Sequence, residues 1–148
     1  NAYLLLGSAS ACVMILPGLV VPPFADERYD DPSLYTRLGF VLAHEFSHVT
    51  AMDGQWDLEY TGTLMSAYRD ETQVEAIADL SAATALLRLP FTNNETVCAS
   101  VSQLFCGRPG WALKTGPPSR HPALNLRGDN VCSFLRQFFP PEGMPLRT

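Results

Sequence analysis

Apolar positions along this chain fall at helical spacing in four stretches. From Leu34 to about Ala51 they occur at Leu34, Leu38, Val41, Leu42 and Phe46, three or four apart, which places them on one side of a helix. A polar loop over residues 25–33 precedes that helix, with Asp31 or Ser33 placed to cap it, and Gly54 is placed to end it. Residues 55–70 are ambiguous, with a short helix expected near Leu64–Tyr68. A second long helix, rich in Ala and Leu, is expected from about Glu71 to Leu87, stopping before Pro90. A third is expected over about Thr96–Phe105. After a Gly- and Pro-rich loop at 107–123, Asp129 or Asn130 is placed to cap a last helix, which Pro140-Pro141 ends near Phe139. Residues 1–24 read as extended, with Gly7, Ser8 and Ser10 at a turn between two strands. The pattern predicts one mostly helical α+β domain over residues 1–148.

Composition narrows the function classes. The chain is 47% hydrophobic and only 17% charged, against about one-quarter charged in an average soluble domain. A net charge of −5 argues against nucleic-acid binding, which needs a basic surface for phosphates. The most apolar run, Ala11 to Phe24, is about fourteen residues long, short of the ~20 a spanning helix needs, and Pro17, Gly18, Pro22 and Pro23 break it. No membrane span is therefore expected within this chain. The four cysteines, Cys12, Cys98, Cys106 and Cys132, lack the C-x-x-C spacing of a zinc knuckle. If Cys98 and Cys106 share a straight helix, eight residues separate them by about 12 Å, too far to pair. Asn94-Glu95-Thr96 is an N-glycosylation acceptor sequence.

The first long helix carries the chemistry. His44-Glu45-Phe46-Ser47-His48 is an H-E-x-x-H match, which arises by chance in roughly a few of every thousand chains of this composition. Residues four apart on a helix share a face, so both imidazoles can meet one ion. Neutral histidine suits Zn²⁺, and Glu45 sits where it can take a proton from a water activated there. A catalytic site of this kind needs a third protein ligand. The next helix offers Glu75 and Asp79, again four apart, among Val74, Ile77, Leu80, Ala82, Ala83 and Leu86. Carboxylates in such apolar surroundings are costly unless paired or metal-bound. Glu75 as third ligand, with Asp79 accepting the free N–H of a ligand histidine, satisfies both. His121, in the Gly- and Pro-rich loop, is a candidate for stabilising charge on an attacked carbonyl oxygen.

An ordered set of motifs extends this reading over nearly the whole chain: Asn1-Ala2-Tyr3; Leu16-Pro17-Gly18-Leu19-Val20-Val21-Pro22-Pro23-Phe24; Leu38-Gly39-Phe40-Val41-Leu42-Ala43 before His44; Glu75-Ala76-Ile77-Ala78-Asp79-Leu80; and His121 with Arg127 at H-x5-R spacing, followed by Gly128-Asp129-Asn130. Together they resemble the end of the catalytic lobe of the neprilysin and endothelin-converting-enzyme family of zinc metallopeptidases. The resemblance implies a zincin-like, thermolysin-type fold and a zinc-dependent metalloendopeptidase binding one Zn²⁺ per chain. Its implied metal ligands are His44, His48 and Glu75, with Glu45 as general base and Asp79 orienting a histidine. It further implies that His121 stabilises the oxyanion, while Asn1, Ala2 and Arg127 hold a peptide substrate. An N-terminal lobe or anchor outside this chain, and a place on the cell surface or outside the cell, belong to the same implication, to which the cysteines and the Asn94 acceptor sequence add. The chain then reads as a piece of a larger ectodomain or a reduced descendant of one.

The chain also departs from the family pattern. Val49-Thr50-Ala51-Met52-Asp53-Gly54 stands where the family reads G-F-D-D-Q-G, so Ala51 replaces an Asp. Val74 and Ala76 flank Glu75 in place of Gly and Asn, the segment from His48 to Glu75 is shorter, and the family's terminal C-x-V-W is absent. These departures carry the alternative reading, a degenerate peptidase-like domain that binds a peptide or partner protein without cutting it.

Overall fold

The computed structural model describes residues 2–6, 11–52, 71–105 and 124–140. It is mostly helical, with one short sheet, as the pattern predicts. Strands β1 (Ala2–Leu6) and β2 (Ala11–Ile15) pair antiparallel, with Ala2 opposite Ile15 and Leu6 opposite Ala11. The expected turn residues Gly7, Ser8 and Ser10 lie outside the described residues. Four helices follow: α1 (Asp31–Met52), α2 (Glu71–Leu86), α3 (Asn94–Leu104) and α4 (Leu124–Phe138). Gly54 and the helix expected near Leu64–Tyr68 also lie outside the described residues.

Where local signals compete, the structure corrects the reading. Residues after β2 are not extended: Pro17–Leu19 form a single 3-10 turn, held by Leu19 N–H donating to Leu16 O at 3.0 Å. The cap of α1 is Asp30 rather than the expected Asp31 or Ser33, and its Oδ1 accepts from Ser33 N–H at 2.9 Å. Asn93 caps α3 through Thr96 N–H at 2.9 Å. The largest difference is in α4, which begins at Leu124 and so places Asp129 and Asn130 inside the helix rather than at its cap. Gly128 is the reason. It is buried, and a Cβ there would stand 3.2 Å from the Ser102 Cα, so this glycine serves a close crossing of α4 over α3. Gly-Asp-Asn carries strong turn chemistry locally, and helix packing overrides it.

The core forms where α1 packs on α2 and α3 while α4 closes over α2 and α3. Ala82 and Ala83 are fully buried and small, so α2 can lie close to its neighbours. Phe40 from α1, Leu86 from α2, Val97 and Val101 from α3, and Val131 and Leu135 from α4 fill one cluster, with Phe105 set edge-on to Phe40 at 5.7 Å. Between α1 and α3, the buried Thr36 and Ser100 hydroxyls hydrogen-bond at 2.6 Å. The Pro-rich segment is tied to this bundle by Arg37, which lies over the Tyr29 ring at 4.3 Å and donates to Pro23 O at 3.2 Å. The hairpin rests against α1, the helix that carries His44 and His48.

Candidate metal centre

The site is built by α1 and α2, the two helices in most extensive contact. Near the C-terminal end of α1, His44 and His48 are one turn apart and present their rings edge to face, with centroids 4.8 Å apart. Close to the start of α2, Glu75 faces them across the interface. His44 Nε2 lies 3.2 Å from His48 Nε2 and 3.1 Å from Glu75 Oε2, and His48 Nε2 lies 3.6 Å from the same oxygen. All three donor atoms lie within 4.8 Å of one another. Two imidazoles and a carboxylate in this arrangement can hold a metal ion. In a tetrahedral site with bonds near 2.0–2.1 Å, neighbouring ligand atoms stand about 3.3 Å apart, and the observed separations bracket that value.

Behind the ligand set lies a chain of buried polar groups. His44 is buried, and its Nδ1 is 2.8 Å from Asp79 Oδ1, which directs Nε2 toward His48 and Glu75. Asp79 is held in turn by Arg127 of α4, whose Nε donates to Oδ2 at 2.7 Å and whose Nη2 donates to Oδ1. The guanidinium lies over the Phe105 ring, 4.1 Å from its centroid. A bidentate guanidinium–carboxylate pair seated on an aromatic face is a strong geometry for a buried ion pair. Three helices thereby fix the orientation of one imidazole.

These contacts set the charge states of His44 and Asp79. Burial favours a neutral His44, but hydrogen bonds to Asp79 and Glu75 outweigh it and push the imidazole up to about 9. Burial also disfavours the Asp79 carboxylate, and the Arg127 and His44 hydrogen bonds reverse that, holding it below the ordinary carboxylate range. Asp79 is accordingly an anion at neutral pH, as an acceptor of the His44 N–H must be.

Of the residues singled out in the sequence, the structure brings His44, His48, Glu75 and Asp79 together and adds Arg127 behind Asp79. Glu45 is half-buried on α1 between the two histidines. Ala2 is buried in β1. Asn1 and His121 lie outside the described residues. The resemblance implies a substrate role for Arg127; two of its nitrogens are engaged by Asp79, a contact the sequence reading did not include. Nor did that reading single out Phe105 as the ring beneath Arg127, because nothing local to α3 marks it for that position. Among the described residues no helix is long and apolar enough to cross a membrane. Comparison with protein-family models, curated proteins and solved structures finds no match to this chain.

Proposed function

We propose that this chain is a zinc-dependent metallopeptidase domain of zincin-like type that hydrolyses peptide bonds. The observation that carries the reading is the convergence of His44, His48 and Glu75 on one point, with Asp79 fixing His44 from behind. Two histidines and a glutamate are a catalytic zinc ligand set that leaves a position open for water, and H-E-x-x-H adds a glutamate beside it. When bound, zinc supplies the Lewis acidity that makes water a usable nucleophile at neutral pH and polarises the scissile carbonyl. Glu45 takes a proton in the attack and returns it to the leaving amine. Arg127 keeps Asp79 ionised, and Asp79 keeps the His44 tautomer. In the resemblance to the neprilysin family, His121 stabilises the oxyanion, while Asn1, Ala2 and Arg127 hold the substrate backbone. The low charge of the chain fits a piece of a larger cell-surface or extracellular protein, with surface that another lobe covers.

The test pairs metal analysis with hydrolysis of a mixed pool of quenched fluorescent peptides. The purified chain is expected to hold one zinc ion and cleave peptides. Glu45→Gln should lower turnover by about 10²–10⁴-fold with zinc retained. Zinc binding without any cleavage that Glu45→Gln removes would overturn the enzyme reading in favour of peptide binding alone.

A further inference from the structure

A second pair of reactive side chains lies in the α3–α4 interface. At the close crossing of Gly128 over Ser102, Ser102 Oγ reaches to 3.7 Å from Cys132 Sγ. Cys98 lies one turn before Ser102 on α3, and Cys132 one turn beyond Gly128 on α4. The two helices pack together through this crossing, so Cys98 and Cys132 lie in the same part of the core. Both side chains belong to the buried core cluster and both are free thiols. We propose that Cys98 and Cys132 are an oxidation site, closing to a disulfide that ties α3 to α4.

Two thiols in one core cluster, on helices that cross at Gly128 and Ser102, reach the ~2.05 Å of a disulfide by an approach of those helices. The oxidant is a small-molecule disulfide such as oxidised glutathione. One cysteine thiolate attacks it, forms a mixed disulfide and expels a glutathione thiolate. The second cysteine then displaces the remaining glutathione. The two electrons and both thiol protons end on two glutathione thiols, and the protein loses two hydrogens. Burial, with the hydrogen bond to Cys132 added to it, pushes the Cys98 thiol up to about 12, so the thiolate is scarce in the closed fold. The bond is therefore made while the helices are still assembling and is shielded afterwards.

The experiment refolds the full chain from denaturant in a glutathione redox buffer, blocks free thiols and maps the unreduced peptides by mass spectrometry. A peptide pair joining Cys98 to Cys132, lighter by two hydrogens than its thiol form, is expected. The bond encloses about 34 residues, so the oxidised protein should melt on the order of 10 °C above the reduced one. Cys132→Ser should abolish that difference. Pairing of either residue with Cys12 or Cys106, or full alkylation of both thiols after oxidative refolding, would overturn the proposal. The wild-type map decides even if the variant fails to fold, and zinc content and peptide cleavage do not enter into it.

Discussion

His44 is where burial, charge and metal chemistry compete. Its pKa is raised from 6.5 to about 9 by Asp79 and Glu75, so at neutral pH the ring holds a proton on each nitrogen. One faces Asp79, while the other faces His48 and Glu75. The sign of the stability contribution follows. It is complete below about pH 6.5 and is lost as pH rises through about 9, because the unfolded chain no longer holds that proton while the fold still does. Metal uptake reverses the preference, since a ligand nitrogen must be deprotonated. Zinc binding near pH 7.5 should therefore release a proton from His44, and affinity should rise with pH until about 9. Asp79→Asn removes the anion that holds the raised pKa. It should reduce the protons released and weaken zinc by about 10–100-fold. Titration calorimetry in buffers of different ionisation enthalpy measures both effects, and equal proton release from the two proteins would refute the role given to Asp79.

At the scale of elements, two close contacts of glycine separate local from tertiary information. A Cβ at Gly39 on α1 would meet the Leu86 Cδ2 at 3.2 Å, the far end of a side chain; at Gly128 on α4 it would meet the Ser102 Cα and Oγ at 3.2 and 3.3 Å. Alanine gains about 1 kcal/mol of helix propensity over glycine in either helix. At Gly39 the obstacle is the far end of one side chain, which has to give by only a few tenths of an ångström, so Gly39→Ala should be neutral or slightly stabilising. At Gly128 the obstacle is backbone, so Gly128→Ala should destabilise by about 1–3 kcal/mol. Urea unfolding of the two variants checks the contrast, and a stabilised Gly128→Ala would show that the helices separate easily there. The same contrast explains what the sequence revealed. H-E-x-x-H and the Glu75–Asp79 spacing were legible because each lies within one helix and depends only on its period. The start of α4 was not, because Gly128-Asp129-Asn130 looks like a cap until α3 is packed against it. The Arg127–Asp79 pair spans 48 residues, and no local pattern encodes it. Asn94 teaches the same lesson: read as a glycan acceptor, its amide nitrogen donates to Leu135 O at 3.3 Å and to Phe139 O, closing the end of α4.

Across the whole molecule, the candidate metal centre is a junction between helices that are far apart in sequence. His44 and His48 come from α1 and Glu75 and Asp79 from α2, while Arg127 brings in α4, so an ion bound at the three ligands favours the assembled bundle over any partly open form. Only the folded chain presents this set, so binding stabilises by mass action, about 2.7 kcal/mol at a free metal concentration one hundred times the Kd. For a domain of this length that corresponds to a rise in Tm of roughly 5–10 °C. Chelation should remove the rise and zinc should restore it. His44→Ala and Glu75→Ala should melt at the same temperature with and without zinc, because neither leaves three ligands. The hairpin and the segment after it expose Leu5, Met14, Ile15, Val20 and Val21, so melting should be followed at low protein concentration, where self-association through that apolar surface cannot mimic a stability change. Amide hydrogen exchange gives the spatial test: the added protection should concentrate where α1 meets α2 and in the turn of α4 that carries Arg127. A zinc-dependent rise of equal size in His44→Ala would place the ion elsewhere in the chain and leave the junction between α1 and α2 an ordinary packing contact.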